Sequence, residues 1–399
     1  MIIKETGYSY NDLTVVPEVI SDIESRSQCN PFVKDNWLPI FTAPMASVVD
    51  DHNLELFTKN GIMPILPRNI SLETRKEWML DYHWVALSLS EFKNEFIENA
   101  HEREKTSYYI CVDIANGHMK SLYDVCLSAK KLAKKYDYKL TIMTGNIANP
   151  KTYEWICNFN HKHSCSVIDY IRVGIGGGRG CITSSNVSIH YPQATLIDKC
   201  KTIKNTYVSL IGKEYCPYII ADGGIRNYDN VIVALALGAD YVMIGSIFAQ
   251  CIESAGEKNK KLSIYKDFKF RDNNWYAYYN SKYKNKLAKE AYNYYSTVDA
   301  TNQYINSLDK EQNVGSISVK FFGMASADGQ KSINGKKTKT AEGITKYLDV
   351  KYTLKGWVEN MISYLCSAMS YCNCKELKEF IGTQELIPNS ISEIQAVNK

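Results

Sequence analysis

Tyr170-Ile-Arg-Val-Gly-Ile-Gly-Gly-Gly-Arg-Gly-Cys-Ile-Thr183 is the stretch whose reading decides the fold. Its first four residues read as a buried strand. Gly174, Gly176, Gly177 and Gly178 then let the backbone turn tightly and aim its N–H and C=O groups at a ligand. Gly180 adds freedom just before Cys181, and Thr183 stands two residues beyond. A glycine-rich loop alone says little. One that presents a cysteine at the C-terminal end of a strand marks the place for a nucleophile.

Seven further short apolar runs accompany residues 170–173: 38–43, 62–66, 84–89, 108–114, 140–144, 218–221 and 241–244. Their hydrophobicity is continuous, as expected of strands covered on both faces. Intervening segments such as 119–135 and 228–237 carry helical spacing. Eight strand–helix repeats predict an α/β fold, a closed TIM (β/α)8 barrel spanning residues 1–399 as one domain. Polar and glycine residues follow most of the runs: Pro44-Met45-Ala46-Ser47, Asp113-Ile-Ala-Asn116-Gly117, Gly145-Asn146, the Cys181 loop, Asp222-Gly223-Gly224 and Gly245-Ser246. Each alone is explained by turn formation. Together they would converge on the catalytic face of a barrel.

Composition narrows the class. A chain of 399 residues with 45% hydrophobic and 23% charged content is ordinary for a globular protein, and a net charge of +4 gives no electrostatic case for nucleic acid. Neither an N-terminal apolar leader nor a membrane-length apolar run is present, so a cytoplasmic protein without a membrane partner is expected. The twelve cysteines are scattered, and Cys372-Asn-Cys374 lacks metal-knuckle spacing, so free thiols in a reducing compartment are expected. Residues 257–318 are rich in Lys, Tyr and Asn and read as a helical insertion with an oligomer contact; nucleic-acid stacking is the less favoured reading. Residues 325–345 read as a mobile flap.

Two chemical groups stand out beside Cys181. Backbone N–H groups and Arg179 would favour its thiolate. Asp222 offers a carboxylate for sugar hydroxyls, while Gly224, Gly245 and Ser246 offer donors for a phosphate after the seventh and eighth strands.

The ordered motifs resemble the IMP dehydrogenase/GMP reductase family over nearly the whole chain. They are Tyr10-Asn-Asp-Leu13 with Val16-Pro17, Thr42-Ala-Pro-Met45, Asn69-Ile-Ser71, Asp113-Ile-Ala-Asn-Gly117, Met143-Thr-Gly-Asn146 and Val173-Gly-Ile-Gly176 with Cys181. They continue through Tyr191-Pro-Gln193, Ala221-Asp-Gly-Gly224, Leu237-Gly-Ala-Asp240, Val242-Met-Ile-Gly245, Gly323-Met324, Glu342-Gly343 and Lys355-Gly356. The resemblance implies that Cys181 attacks C2 of a purine nucleoside monophosphate, with Thr183 handling a proton and a nicotinamide cofactor exchanging a hydride. It assigns substrate binding to Ser47, Arg179, Asp222, Gly223, Gly224, Gly245, Ser246, Met324, Glu342 and Gly343. Asp113, Asn116, Gly117, Gly174 and Gly176 are assigned to the cofactor. The carbonyls of Gly176, Gly178 and Cys181 are assigned to potassium, and a homotetramer is implied.

Within that family the chain resembles the reductase branch. Only 40 residues separate Ser71 from Val112, leaving no room for the regulatory domains of the dehydrogenase. The 17 residues between Met324 and Glu342 hold no Arg-Tyr pair. The implied reaction is NADPH-dependent reductive deamination of GMP to IMP and ammonia. The alternatives are IMP dehydrogenase (IMP to XMP with NAD), action on a related purine nucleotide, or an inactive nucleotide-binding homologue. Four departures mark this chain. The family glutamate after Gly323-Met324 reads as Ala327, so Asp328 is expected to take its catalytic place. The phosphate-binding serine and tyrosine read as Arg179 and Phe321, and a usual lysine reads as Arg68. Lys337 and Lys339 are the candidates, on charge alone, for a cofactor 2′-phosphate.

Overall fold

The computed structural model describes residues 6–260, 317–336 and 340–390. Each of the eight apolar runs carries a strand: β1 (Ile40–Thr42), β2 (Ile65–Leu66), β3 (Trp84–Leu87), β4 (Ser107–Asp113), β5 (Lys139–Ile147), β6 (Tyr170–Val173), β7 (Tyr218–Asp222) and β8 (Tyr241–Ile244). Neighbours pair in parallel in chain order from β2 to β8, and β8 pairs with β1. The ring closes at a parallel bridge between Phe41 and Met63. There Thr42 N–H donates to the Met63 carbonyl and Met63 N–H to that of Ile40, both at 3.0 Å. This is the expected barrel.

Helices α1 (Leu54–Lys59), α2 (Leu72–Leu80), α3 (Leu89–Lys93), α4 (Lys120–Tyr136), α5 (Pro150–Lys162), α6 (Gln193–Ile211) and α7 (Tyr228–Ala236) fill the crossovers. Their starts are written in local chemistry. Ser71 accepts from Thr74 N–H, Ser88 and Glu91 form a reciprocal capping box, and Asn149 caps a helix whose first residue is Pro150. Buried Leu122, Tyr123, Cys126, Ala129 and Ala133 form the apolar stripe of α4.

Period-two alternation sorts the strand residues into two cores. Ile110, Val112, Ile219, Ala221, Val242 and Ile244 belong to the layer between strands and helices. Phe41, Trp84, Cys111, Met143, Ile220 and Met243 belong to the lumen, with Tyr109, Tyr170 and Tyr241 packed against them. Following one parity along β4 gives Tyr109, Cys111, Asp113; along β7 it gives Tyr218, Ile220, Asp222; along β6, Tyr170 and Arg172. Aromatics therefore plug the bottom of the barrel, small and aliphatic groups fill its middle, and charges emerge at the top.

After β8 the chain forms β9 (Lys258–Lys260), β10 (Ile317–Phe322), α8 (Ala327–Asn334), β11 (Thr345–Asp349) and α9 (Leu354–Tyr371). The antiparallel sheet β9–β10–β11 forms the base of the segment expected as a flap. Most of the expected insertion, residues 261–316, lies outside the described residues, as do Lys337 and Lys339. Helix α9 packs through Trp357, stacked on Tyr228 at 5.3 Å and edge-on to Phe248 at 5.1 Å. No helix among the described residues is long and apolar enough to cross a membrane. All twelve cysteines are free of disulfides.

Candidate active site

The ends of β4 to β7 converge because their registers align. Asp113 pairs with Gly145, Gly145 with Arg172, and Val173 with Ala221, the residue before Asp222. Arg172 consequently stands between two carboxylates. Its Nη1 donates to Asp113 Oδ1 at 2.7 Å, while Nε and Nη2 reach Asp222 Oδ2 at 3.0 and 2.9 Å. Burial alone would lower the Arg172 pKa, but Asp222, Cys111 and Asp113 outweigh it and hold the guanidinium above its ordinary value. The Cys111 thiol beneath is pushed up to about 12 by burial, which keeps it a neutral packing group. Asn146 Nδ2 also donates to Asp222 Oδ2, at 2.7 Å. With three donors on Oδ2, Asp222 has Oδ1 left for an incoming hydroxyl.

Glycine is required where these loops touch. Gly174 has φ +135°, and a Cβ there would lie 2.2 Å from the Asp222 carbonyl and 2.5 Å from the Gln193 amide. Gly224 N–H donates to the Gly177 carbonyl at 3.0 Å, locking the β6 and β7 loops together.

The Cys181 loop is tied on its other side to the stretch before β11. Cys181 bridges Gly343 antiparallel, Ile182 N–H donates to the Glu342 carbonyl at 3.0 Å, and Ile344 N–H to that of Gly180 at 2.9 Å. This pairing carries Glu342 to the Cys181 loop. The Cys181 thiol donates to Thr183 Oγ1 at 3.2 Å, and the Thr183 hydroxyl donates to Glu342 Oε2 at 3.3 Å. A thiol, a hydroxyl and a carboxylate thus form one proton path.

These groups line a cavity of 240 Å³. Of the residues singled out from sequence, its walls include Cys181, Thr183, Arg179, Asp222, Gly223, Gly224, Gly245, Ser246, Met324, Glu342, Gly343, Asp113, Gly174, Gly176 and Gly178. Four others lie elsewhere. Asp328, expected as the catalytic carboxylate, accepts from Thr345 Oγ1 at 2.6 Å and pairs with Lys320 at 3.4 Å. Those contacts, the Thr345 hydroxyl foremost, hold its carboxyl below the ordinary range. The carboxylate hydrogen-bonded to Thr183 is that of Glu342. Ser47 is fully buried, with no hydrogen-bond partner for its hydroxyl, away from the wall. Asn116 and Gly117 shape the β4–α4 turn: Asn116 Oδ1 accepts from His118 N–H at 3.0 Å, and Gly117 N–H donates to the Asn146 carbonyl at 2.8 Å. Sequence reading gave no role to Arg172 or to Asn146 as the partner of Asp222. The signal for Arg172 was available, since it is the one charge inside the apolar run 170–173 and shares the inward parity of Tyr170.

Two of the carbonyls assigned to potassium also make contacts within the Cys181 loop. Gly178 accepts Cys181 N–H at 3.0 Å and Gly176 accepts the Ser184 hydroxyl at 3.1 Å. Each of these carbonyls keeps a second lone pair. Arg68 Nε and Asn69 Oδ1, just beyond β2, are buried without partners, while Arg68 Nη1 reaches the Asp113 carbonyl at 3.3 Å. Arg68 thus lies beside Asp113, and its Nε with the Asn69 Oδ1 gives a donor and an acceptor of the kind a carboxamide takes.

The family model for the IMP dehydrogenase / GMP reductase domain matches residues 85–285. The chain belongs to this family. Among its relatives is a GMP reductase of Staphylococcus epidermidis, 30% identical over 260 residues, covering 63% of this chain and 73% of the relative. The GMP reductase of Bacillus subtilis is 27% identical over 278 residues, covering 66% and 78%. That of Streptococcus pyogenes is 28% identical over 264 residues, covering 63% and 72%. Membership makes the chain a purine-nucleotide oxidoreductase. Within this IMP dehydrogenase/GMP reductase frame, the Cys181–Thr183–Glu342 path and the Arg172–Asp222 pair occupy the cavity together.

Proposed function

We propose that this protein is a GMP reductase, converting GMP to IMP and ammonia with NADPH through a covalent bond from Cys181 to purine C2. The observation that carries the reading is the path from Cys181 through Thr183 to Glu342, built into a cavity that also holds the free face of Asp222. The names of the relatives support the reductase branch.

Cys181 surrenders its proton along the path and its thiolate adds to C2. Glu342, through Thr183, returns a proton to the exocyclic nitrogen; the C2–N bond breaks, ammonia leaves, and C2 stays bonded to sulfur. When bound, NADPH supplies a hydride to that carbon. Collapse then breaks the C–S bond, giving IMP and restoring the thiolate. One GMP, one hydride and one proton yield one IMP and one ammonia.

Asp222 Oδ1 takes the ribose hydroxyls, and Gly224, Gly245 and Ser246 face the phosphate. Met324 and Gly343 border the purine. Asp113, Arg68 and Asn69 hold the nicotinamide carboxamide, with Asn116, Gly117, Gly174 and Gly176 shaping that end. No potassium-dependent step is included. The family resemblance supports a homotetramer and a cytoplasmic location. The deciding assay follows reduced-nicotinamide absorbance with GMP plus NADPH and, separately, with IMP plus NAD. Consumption with GMP is the expected result; NADH formation from IMP with no consumption from GMP would replace the reading with dehydrogenase.

A further inference from the structure

Beneath the β6 and β7 loops lie two polar side chains that the reaction does not use. Tyr10 and Gln193 are both buried, and both sit outside the cavity wall. Residues 8–11 are pinned across the two helices that follow these loops. Tyr8 N–H donates to Thr195 Oγ1 at 2.7 Å, and Ala194 N–H donates back to the Tyr8 carbonyl at 3.1 Å, which fixes the start of α6. Asn230 of α7 donates through Nδ2 to Asn11 Oδ1 at 2.7 Å.

Each side chain supports one loop. Gln193 Nε2 donates at 2.6 Å to the carbonyl of Val173, the last residue of β6, and a Cβ at Gly174 would meet Gln193 Oε1 at 2.5 Å. The Gly174 carbonyl in turn accepts Asn146 Nδ2 at 2.7 Å, the same amide that donates to Asp222 Oδ2. A Cβ at Gly224, where φ is +80°, would meet Tyr10 Cε2 at 3.4 Å, so the Tyr10 ring is the surface on which Gly224 rests.

Two atoms are left over between these contacts. Tyr10 Oη and Gln193 Oε1 are buried without a hydrogen-bond partner among the described residues. The Gln193 amide lies against the phenol, where it offsets part of the burial that raises the Tyr10 pKa. A phenol O–H is a donor and an amide oxygen an acceptor, so two groups that are costly apart are satisfied together.

We propose that Tyr10 and Gln193 are positioning residues for nucleotide binding: the phenol donates to Gln193 Oε1 and fixes the amide that holds Val173, which sets the spacing of the two glycine loops. The inference rests on the reading above, in which Asp222 takes the ribose hydroxyls and Gly224 faces the phosphate. Cys181 is held from the other side, by the pairing of its loop with Gly343 and Ile344. Loss of the pair should therefore weaken nucleotide binding and spare the chemistry at sulfur, which raises KM at constant kcat.

The test uses the full chain as wild type, Tyr10→Phe, Gln193→Met and the double variant. Steady-state kinetics with GMP and NADPH give KM and kcat, and calorimetric titration with GMP gives Kd without turnover. Each single variant should raise KM and Kd about 3- to 10-fold, the range for one neutral hydrogen bond, with kcat within about two-fold of wild type. The double variant should be no worse than the weaker-binding single one, because both act through one amide. Tyr10→Phe removes one oxygen and keeps the ring, so it carries the test where Gln193→Met does not fold. Native KM and Kd in Tyr10→Phe, a fall in kcat at native KM, or additive losses in the double variant would each overturn the inference. A wild type that binds GMP without turning it over would overturn the reductase reading, and the Kd values alone would then decide the inference. A wild type that does not bind GMP would overturn both.

Discussion

Arg172 donates through both Nε and Nη2, at 3.0 and 2.9 Å, to one oxygen of Asp222. The same guanidinium pairs with Asp113, which Arg68 also approaches at 3.8 Å, so Arg172 is shared by two carboxylates whose side chains are mostly buried. Replacing Arg172 by Met would take from Asp222 its ion-pair partner and leave Asp113 only Arg68, at 3.8 Å. A loss of about 3–5 kcal/mol is expected, the usual cost of breaking a buried pair from one side. Urea unfolding of Arg172→Met measures it. A midpoint within error of wild type would show that the pair contributes nothing to stability.

The Thr183–Glu342 contact makes a kinetic prediction that separates two acids. Cys181→Ala should abolish turnover while GMP binding persists. Thr183→Val and Glu342→Gln should each lower kcat by about 10²–10⁴-fold, as loss of a positioned proton relay does. Because they act on one path, the double variant should be little worse than either single one. Asp328→Asn, whose partners are Thr345 and Lys320, should stay within about two-fold of wild type. Equal damage from Asp328→Asn and Glu342→Gln would remove Glu342 from the path.

The barrel was legible because parallel strands covered on both faces must be apolar throughout, and eight such runs fix the architecture. Tyr170–Val173 and Tyr241–Ile244 match their runs to the residue, whereas only Ile65–Leu66 of the run 62–66 pairs as strand. The cysteine loop was legible for a different reason: its glycines and thiol are contiguous. Glu342 was harder to assign. Its approach to Thr183 depends on an antiparallel bridge across 162 positions, Cys181 to Gly343, while Asp328 is closer in sequence to the expected slot. Sequence distance carries no information about which carboxylate a strand pairing delivers. Arg172 was legible only through its charge and its parity, because it is an ion-pair centre lying inside a run that otherwise reads as core.

Gly174 tests the close approach of the β6 and β7 loops. Its φ is +135°, and an added Cβ would lie only 2.2 Å from the Asp222 carbonyl oxygen, so there is no room for a methyl group. Gly174→Ala should cost about 3 kcal/mol through overpacking and backbone strain. Asp222 must shift with its own backbone, so KM for GMP should rise even where the folded fraction is corrected for. Thermal unfolding together with steady-state kinetics checks both. A variant with native stability and native KM would show that the two loops are not rigidly stacked.

Lys258 supplies a pH-dependent term to stability. Its ammonium is buried and donates to the carbonyls of Ser254 and Gly256 and to Ser254 Oγ. Burial pulls its pKa down to about 7, against the opposing pull of Asp50 and Glu253. The unfolded chain keeps the ordinary value, near 10.5. Between those two values the unfolded state holds a proton that the folded state lacks, so this group makes stability rise with pH. Below about 7 both states are protonated and the full penalty of burying the charge remains. Lys258→Met removes the titration and leaves three acceptors unpaired, a constant offset. The difference in unfolding free energy between wild type and Lys258→Met should therefore grow in favour of wild type from about pH 7 to about pH 10. Denaturant titrations across that window measure the difference. A difference independent of pH would mean that the Lys258 ammonium is as well accommodated in the fold as in water.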